Sequence, residues 1–140
     1  MKIQEIKFYD KKDSYSIIIG KNILSVLPLK VRNLCPRAKK IAIIIDKNIP
    51  LKFKTKIARS LKKYQIDFLN FSTSEKTKSM KTVNFFLKKL LNKNYNRADL
   101  IISVGGGITS DVAGFISSIY KRGINFINIP TTLLGQVDAA

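Results

Sequence analysis

Leu100-Ile-Ile-Ser-Val104 runs into Gly105-Gly106-Gly107 and then Ile-Thr-Ser-Asp111-Val-Ala-Gly114-Phe115. A short apolar run that stops in glycines and opens onto a helical pattern predicts a strand, a tight loop and a helix N-terminus. Glycines let the backbone come close to a ligand, and the first amides of a helix have no partner inside it. The stretch therefore suits an anion, above all a phosphate or pyrophosphate.

The rest of the chain arranges itself around that unit. Residues 2–8 alternate weakly and residues 15–19 are apolar and β-branched, so with Asp10-Lys-Lys-Asp13 between them they predict an antiparallel hairpin. A short helix or turn is expected over 23–27, before Pro28. Residues 41–45 (Ile-Ala-Ile-Ile-Ile) form a continuous apolar run, the pattern of a strand buried on both faces. A helix over 50–64 follows, with Phe53, Ile57, Leu61 and Tyr64 on one face, and then a strand over 67–72. The next helix turns Val83, Phe86, Leu87, Leu90 and Leu91 inward, with a turn over 92–97. Strand 100–104 leads to a helix over 108–120 with Ile108, Val112, Phe115, Ile116 and Ile119 as its core stripe, and a last strand covers 125–129.

Strands alternating with helices predict an α/β fold: a Rossmann-like parallel sheet with helices on both faces, preceded by the N-terminal β-hairpin. Right-handed crossovers then place Asp46, Ser72 to Lys78, Gly105 to Asp111 and Thr131 to Asp138 along one carboxyl edge, where open α/β sheets bind ligands.

Composition narrows the chemistry. The 140 residues make one domain's worth of chain, and no apolar run approaches the roughly 20 residues of a membrane span. With no histidine, the chain offers no Ser-His or Cys-His dyad and no His-containing metal site. Its one cysteine, Cys35, fits a partly buried thiol and a cytoplasmic location. A net charge of +17 raises nucleic acid as a partner. The lysines are dispersed, however, and lack interleaved aromatics, so solvated helix faces are the expectation.

Individually the motifs leave alternatives open. The three glycines depart from G-x-G-x-x-G, with Ser110 where the third glycine would stand, and a plain tight turn also explains them. Asp111, expected in the first helical turn, complements a helix dipole or meets a ribose hydroxyl. Thr131 and Thr132 suit a helix cap or a ligand. Glu75 and Lys78 suit a surface ion pair or an adenosine clamp.

Together, Gly-Gly-Gly-Ile-x-x-Asp, Gly-Phe-x-x-x-x-Tyr-x-Arg-Gly and Phe-Ile-x-x-Pro-Thr-Thr-Leu-Leu-x-Gln-Val-Asp-Ala resemble the N-terminal domain of the 3-dehydroquinate synthases, over essentially the whole chain. The resemblance implies a phosphate-eliminating lyase of the shikimate pathway. In that reaction 3-deoxy-D-arabino-heptulosonate 7-phosphate is transiently oxidised by NAD, loses phosphate, is reduced again and recloses as 3-dehydroquinate. Carbasugar-forming sugar-phosphate cyclases share much of the pattern, and a non-catalytic basic nucleotide- or nucleic-acid-binding remnant is the further alternative.

Residue by residue, the resemblance implies that Gly105, Gly106 and Gly107 present amides to the NAD pyrophosphate. Asp46, Asn48, Glu75 and Lys78 hold the adenosine end, while Asp111, Thr131, Thr132 and Leu134 position the nicotinamide half. Arg122 binds the anionic substrate, and Asp138 is the catalytic residue where substrate and cofactor meet. The zinc or cobalt of the complete enzyme has no ligands here. Residues 1–140 are thus expected to be an NAD-binding domain that ends at the interdomain cleft and is inactive alone. It would be half of a split enzyme, a fragment or an eroded product, with a separate chain as one source of the metal-binding domain and a homodimer as the complete form. Two serines depart from the family pattern, Ser74 before Glu75 and Ser110 before Asp111, each standing for a glycine.

Overall fold

The structure, a computed structural model, describes residues 2–10 and 14–137. Positions 11–13 of the expected hairpin turn, and Asp138, lie outside the described residues. Strands β1 (Gln4–Tyr9) and β2 (Ser14–Ile19) pair antiparallel, with Ile6 opposite Ile17 and Phe8 opposite Tyr15. Helix α1 (Leu27–Leu34) follows, then β3 (Lys40–Asp46), α2 (Leu51–Ser60), β4 (Gln65–Phe71) and α3 (Met80–Asn92). The chain continues through β5 (Leu100–Gly105), α4 (Gly107–Ile119), β6 (Asn125–Pro130) and α5 (Leu133–Val137).

The second sheet has the order β4-β3-β5-β6, all parallel, with Ile43 lying between Phe68 and Ile102. Ile41, Ala42, Ile43, Ile44 and Ile45 are fully buried because helices cover both faces. Each isoleucine contributes roughly 1.5–3 kcal/mol by leaving water. Ala42, Ile44 and Ile101 pack with Val83, Phe86 and Leu90 of α3 and Val112 and Ile116 of α4. Ile41, Ile43, Ile45 and Ile102 pack with Leu27 and Val31 of α1 and Ile57 of α2. This is the α/β arrangement expected from the alternating pattern.

Strand order reverses between β3 and β5: the chain steps outward to β4 on one side, then to β5 and β6 on the other. Such a switch point opens a crevice at the carboxyl ends of the strands.

Several local expectations change. Pro28 begins a helix rather than stopping one, since a proline in the first turn lacks only an amide that had no helical partner anyway. Phe53, Leu91, Phe115 and Ile119 are 43%, 52%, 47% and 42% exposed, so they leave the expected core stripes. On α4 the buried arc is instead Thr109, Ser110, Val112, Ala113, Ile116 and Ser117, of which Thr109, Ser110, Ala113 and Ser117 are small and let the helix lie close against β5 and β6. Because α4 starts at Gly107, Asp111 falls just beyond its first turn.

Candidate functional site

The first turn of α4 is the centre of the candidate site. Its N-cap, Gly106, is extended, and no side chain caps the helix. The leading amides of this 13-residue helix, at the carboxyl end of β5 and beside the switch point, are left for solvent or a ligand.

The three glycines serve different ends. A Cβ on Gly105 would stand 2.4 Å from Thr109 Oγ1 and 2.7 Å from its Cβ, so this glycine is required by the packing of α4 on β5. A Cβ on Gly106 would meet Thr132 Cγ2 at 3.2 Å, which seats Thr132 beside the loop. A Cβ on Gly107 would meet nothing within 4 Å. The open side of the helix start is therefore at Gly107.

The flanking loops are tied to one another. Asp46, at the end of β3, accepts the Asn48 amide on Oδ1 (2.8 Å) and the Thr73 hydroxyl on Oδ2 (2.5 Å). Lys47 N donates to Phe71 O at 2.9 Å, a second link between the β3 and β4 ends. Ser74 is extended and, with Thr77, forms a capping box on the single 3₁₀ turn Glu75–Thr77, where Ser74 N donates to Thr77 Oγ1 at 2.9 Å. Its backbone needs no glycine, and the serine supplies a cap a glycine lacks.

Lys78 takes Asp111, not Glu75, as its ion-pair partner, with Nζ 2.6 Å from Oδ2. The hydrogen bond and charge of Asp111 hold the Lys78 ammonium above the ordinary lysine range, and Glu75 adds a smaller attraction. After β6, Thr131 N donates to Gly105 O at 2.8 Å. Thr132 opens α5, its Oγ1 accepting Gly135 N at 3.1 Å. A Cβ on Gly135 would lie 3.4 Å from Gly107 N, so α5 passes close to the start of α4. Leu134 is exposed beside it, at 68%.

Asp46, Asn48, Glu75, Lys78, Gly105, Gly106, Gly107, Asp111, Thr131, Thr132 and Leu134 thus all stand at the carboxyl edge of the sheet. Arg122 does not. It follows α4, whose 13 residues span roughly 20 Å, and its neighbour Gly123 accepts Arg97 Nε near the start of β5. Lys121 and Arg122 both have positive φ, 48° and 66°, a left-handed corner built from non-glycine residues. Sequence pattern does not single out Thr73, Ser74, Thr109, Asn128 or Gly135 as site residues. Thr73 and Ser74 carried a signal, a polar pair just after a strand; the others depend on which helix crosses which strand.

The family model described as 3-dehydroquinate synthase N-terminal matches residues 68–140, more than half of the chain and all of the glycine loop, α4 and the β6 end. The chain belongs to the 3-dehydroquinate synthase family. The 3-dehydroquinate synthase of Pelagibacter ubique is 43% identical over 140 residues, covering 100% of this chain and 38% of the relative. That of Saccharolobus solfataricus is 46% identical over 105 residues, covering 72% of this chain and 30% of the relative. The chain therefore spans little more than a third of the length of these 3-dehydroquinate synthases. Among solved structures, 2-deoxy-scyllo-inosose synthase complexed with carbaglucose-6-phosphate, NAD+ and Co2+ superposes with a TM-score of 0.79 at 26% identity. That match covers 96% of this chain and 36% of the other.

Among the described residues no three histidine, cysteine or carboxylate side chains gather to hold a metal, and no helix is long and apolar enough to cross a membrane.

Proposed function

We propose that this chain is the NAD-binding part of a 3-dehydroquinate synthase, acting on 3-deoxy-D-arabino-heptulosonate 7-phosphate in the cytoplasm. The uncapped N-terminus of α4 at the switch point carries this reading: it offers free amides, with open space at Gly107, where a pyrophosphate would lie. Family membership supplies the substrate class, and the likeness to an NAD+-bound sugar-phosphate cyclase supports the cofactor.

The chain's own residues then divide the work. Amides of Gly106 and Gly107 receive the pyrophosphate. Asp46, Asn48 and Glu75, at the β3 and β4 ends, are assigned to the adenosine and its ribose. Asp111, Thr131, Thr132 and Leu134 are assigned to the nicotinamide half, and Asp138, outside the described residues, takes the catalytic role that the family resemblance implies. NAD, when bound, supplies the transient hydride acceptor of the reaction. The divalent metal of the family reaction finds no fitting ligand cluster among the described residues.

Arg122 sits at the opposite end of α4 from the glycine loop, and its substrate-binding role is read as one played in the site of a second copy. The reading therefore includes a homodimer.

A titration of the chain with NAD, run beside Asp111→Ala and at two salt concentrations, tests this proposal. Saturable binding that the substitution weakens, with little salt dependence, is expected. Equal binding by both proteins, or affinity that collapses with salt, would favour a basic nucleic-acid-binding module.

A further inference from the structure

The amino edge of the parallel sheet carries a cleft of its own, about 800 Å³ in volume. It lies between the end of α1, the turn before β5 and the corner before β6. These segments stand where the strands begin, whereas the glycine loop stands where they end. The six residues of β5 separate the two by roughly 20 Å.

The cleft has an apolar floor, Cys35 and Ile124, both buried, and a wall formed by Leu34 and Pro36. Its charges are of one sign: Arg37 and Arg97 line it, and no carboxylate does. Asp99 follows the lining residue Ala98 but answers neither guanidinium, because it is fully buried and accepts Lys39 N, Lys40 N and Asn96 N. Among the described residues Arg37 has no hydrogen bond and no ion pair. Arg97 donates only through Nε, to Gly123 O at 3.3 Å, which fixes the fork and leaves both Nη groups free.

The walls are braced without a ligand. Asn125 Nδ2 donates to Ala98 O (3.2 Å) and Asp99 O (3.1 Å), tying the start of β6 to the turn before β5. Two unanswered guanidinium groups above an apolar floor suit an anion that carries an apolar body. The volume is that of a small-molecule site, larger than a bare inorganic anion needs.

We propose that this cleft is a second ligand site, which takes a small organic anion: an oxyanion head between Arg37 and Arg97, and an apolar body over Cys35 and Ile124. A carboxylate and a phosphate monoester share that head chemistry. The site is separate from the glycine loop and stands whether or not that loop binds NAD.

The test titrates the isotopically labelled chain with phenyl phosphate, benzoate and inorganic phosphate at one ionic strength. At least one of the two organic anions should saturate the protein and shift the amides of Ala98, Gly123 and Ile124. The tighter of the two identifies the head group. Inorganic phosphate, with no apolar body, should bind roughly tenfold more weakly than that anion. Arg37→Ala should also weaken it roughly tenfold, the scale of a charge-assisted hydrogen bond. Arg37 has no partner in the fold, so its loss leaves the fold intact. Arg97→Lys keeps the charge but gives up the fork and the tether to Gly123, and should weaken binding too. Lys62→Ala removes an equal charge beyond α2 and should change nothing. Shifts that never saturate, or that fall only on Gly106 to Ile108, overturn the proposal. So does equal weakening by Lys62→Ala and Arg37→Ala, or inorganic phosphate that binds as tightly as both organic anions.

Discussion

Lys78 Nζ lies 2.6 Å from Asp111 Oδ2, which joins the turn after β4 to α4 across the carboxyl end of β3. The pair is half exposed, so it adds little to stability. Its effect is on protonation: Asp111 raises the Lys78 ammonium above 10.5. A raised pKa stabilises the fold below the unfolded value and loses that contribution as pH climbs through the folded one. Asp111→Asn should therefore return Lys78 toward 10.5, read by a side-chain NMR titration, with almost no change in thermal midpoint at neutral pH. A Lys78 titration unmoved by the substitution contradicts the pairing.

Gly105 and Gly107 should separate folding from binding. Alanine at 105 drives its methyl against Thr109 and should destabilise the chain by about 1–3 kcal/mol in denaturant unfolding. Alanine at 107 meets open space and favours the helix, so stability should hold or rise while NAD affinity falls. Equal destabilisation by both changes would remove the distinction.

Thr109 Oγ1 is buried with no hydrogen-bond partner. Thr109→Val keeps the shape and removes the orphaned hydroxyl, so it should be neutral or stabilise by about 1 kcal/mol. A loss of stability in thermal unfolding would show that the hydroxyl has a partner after all.

Asp99 is fully buried at the amino edge of the sheet, accepting Lys39 N (3.1 Å), Lys40 N (2.9 Å) and Asn96 N (2.9 Å). Asp99→Ala strands three amides at the start of β3 and the turn before β5, and should cost about 3 kcal/mol or more. NAD affinity per folded molecule should stay constant, because the proposed site lies at the other edge.

Asp67 gives the acid limit. Burial alone would raise its pKa, but hydrogen bonds from Lys93 (2.6 Å) and Tyr95 (2.8 Å) prevail and hold it below 3.8. A depressed carboxylate stabilises the fold above its unfolded pKa and loses that contribution as pH falls through the folded one. Stability should therefore decline below about pH 4, and Asp67→Asn should flatten the decline. An unchanged slope would assign acid sensitivity elsewhere.

Sequence pattern resolved what depends on one segment at a time. The isoleucines of β3 and the glycine stop of β5 announce buried strands, and the carboxyl edge follows from alternation and handedness. What it missed depends on neighbours. Pro28 reads as a terminator until its place in a first turn is known. Phe115 and Ile119 match a helical stripe, yet the faces of Thr109, Ala113 and Ser117 are the ones that fit against β5 and β6. The proximity of Lys78 to Asp111 is tertiary, and so is the distance of Arg122 from the glycine loop, set by the full length of α4.

The most direct measurement is a titration of the isotopically labelled chain with NAD, following every backbone amide. The account predicts the largest shifts at Gly106, Gly107 and Ile108, with smaller ones at Asn48, Lys78, Thr131 and Thr132. Shifts centred instead on the lysine-rich face of α2, at Lys52, Lys56 and Arg59, with the α4 amides unmoved, would contradict it.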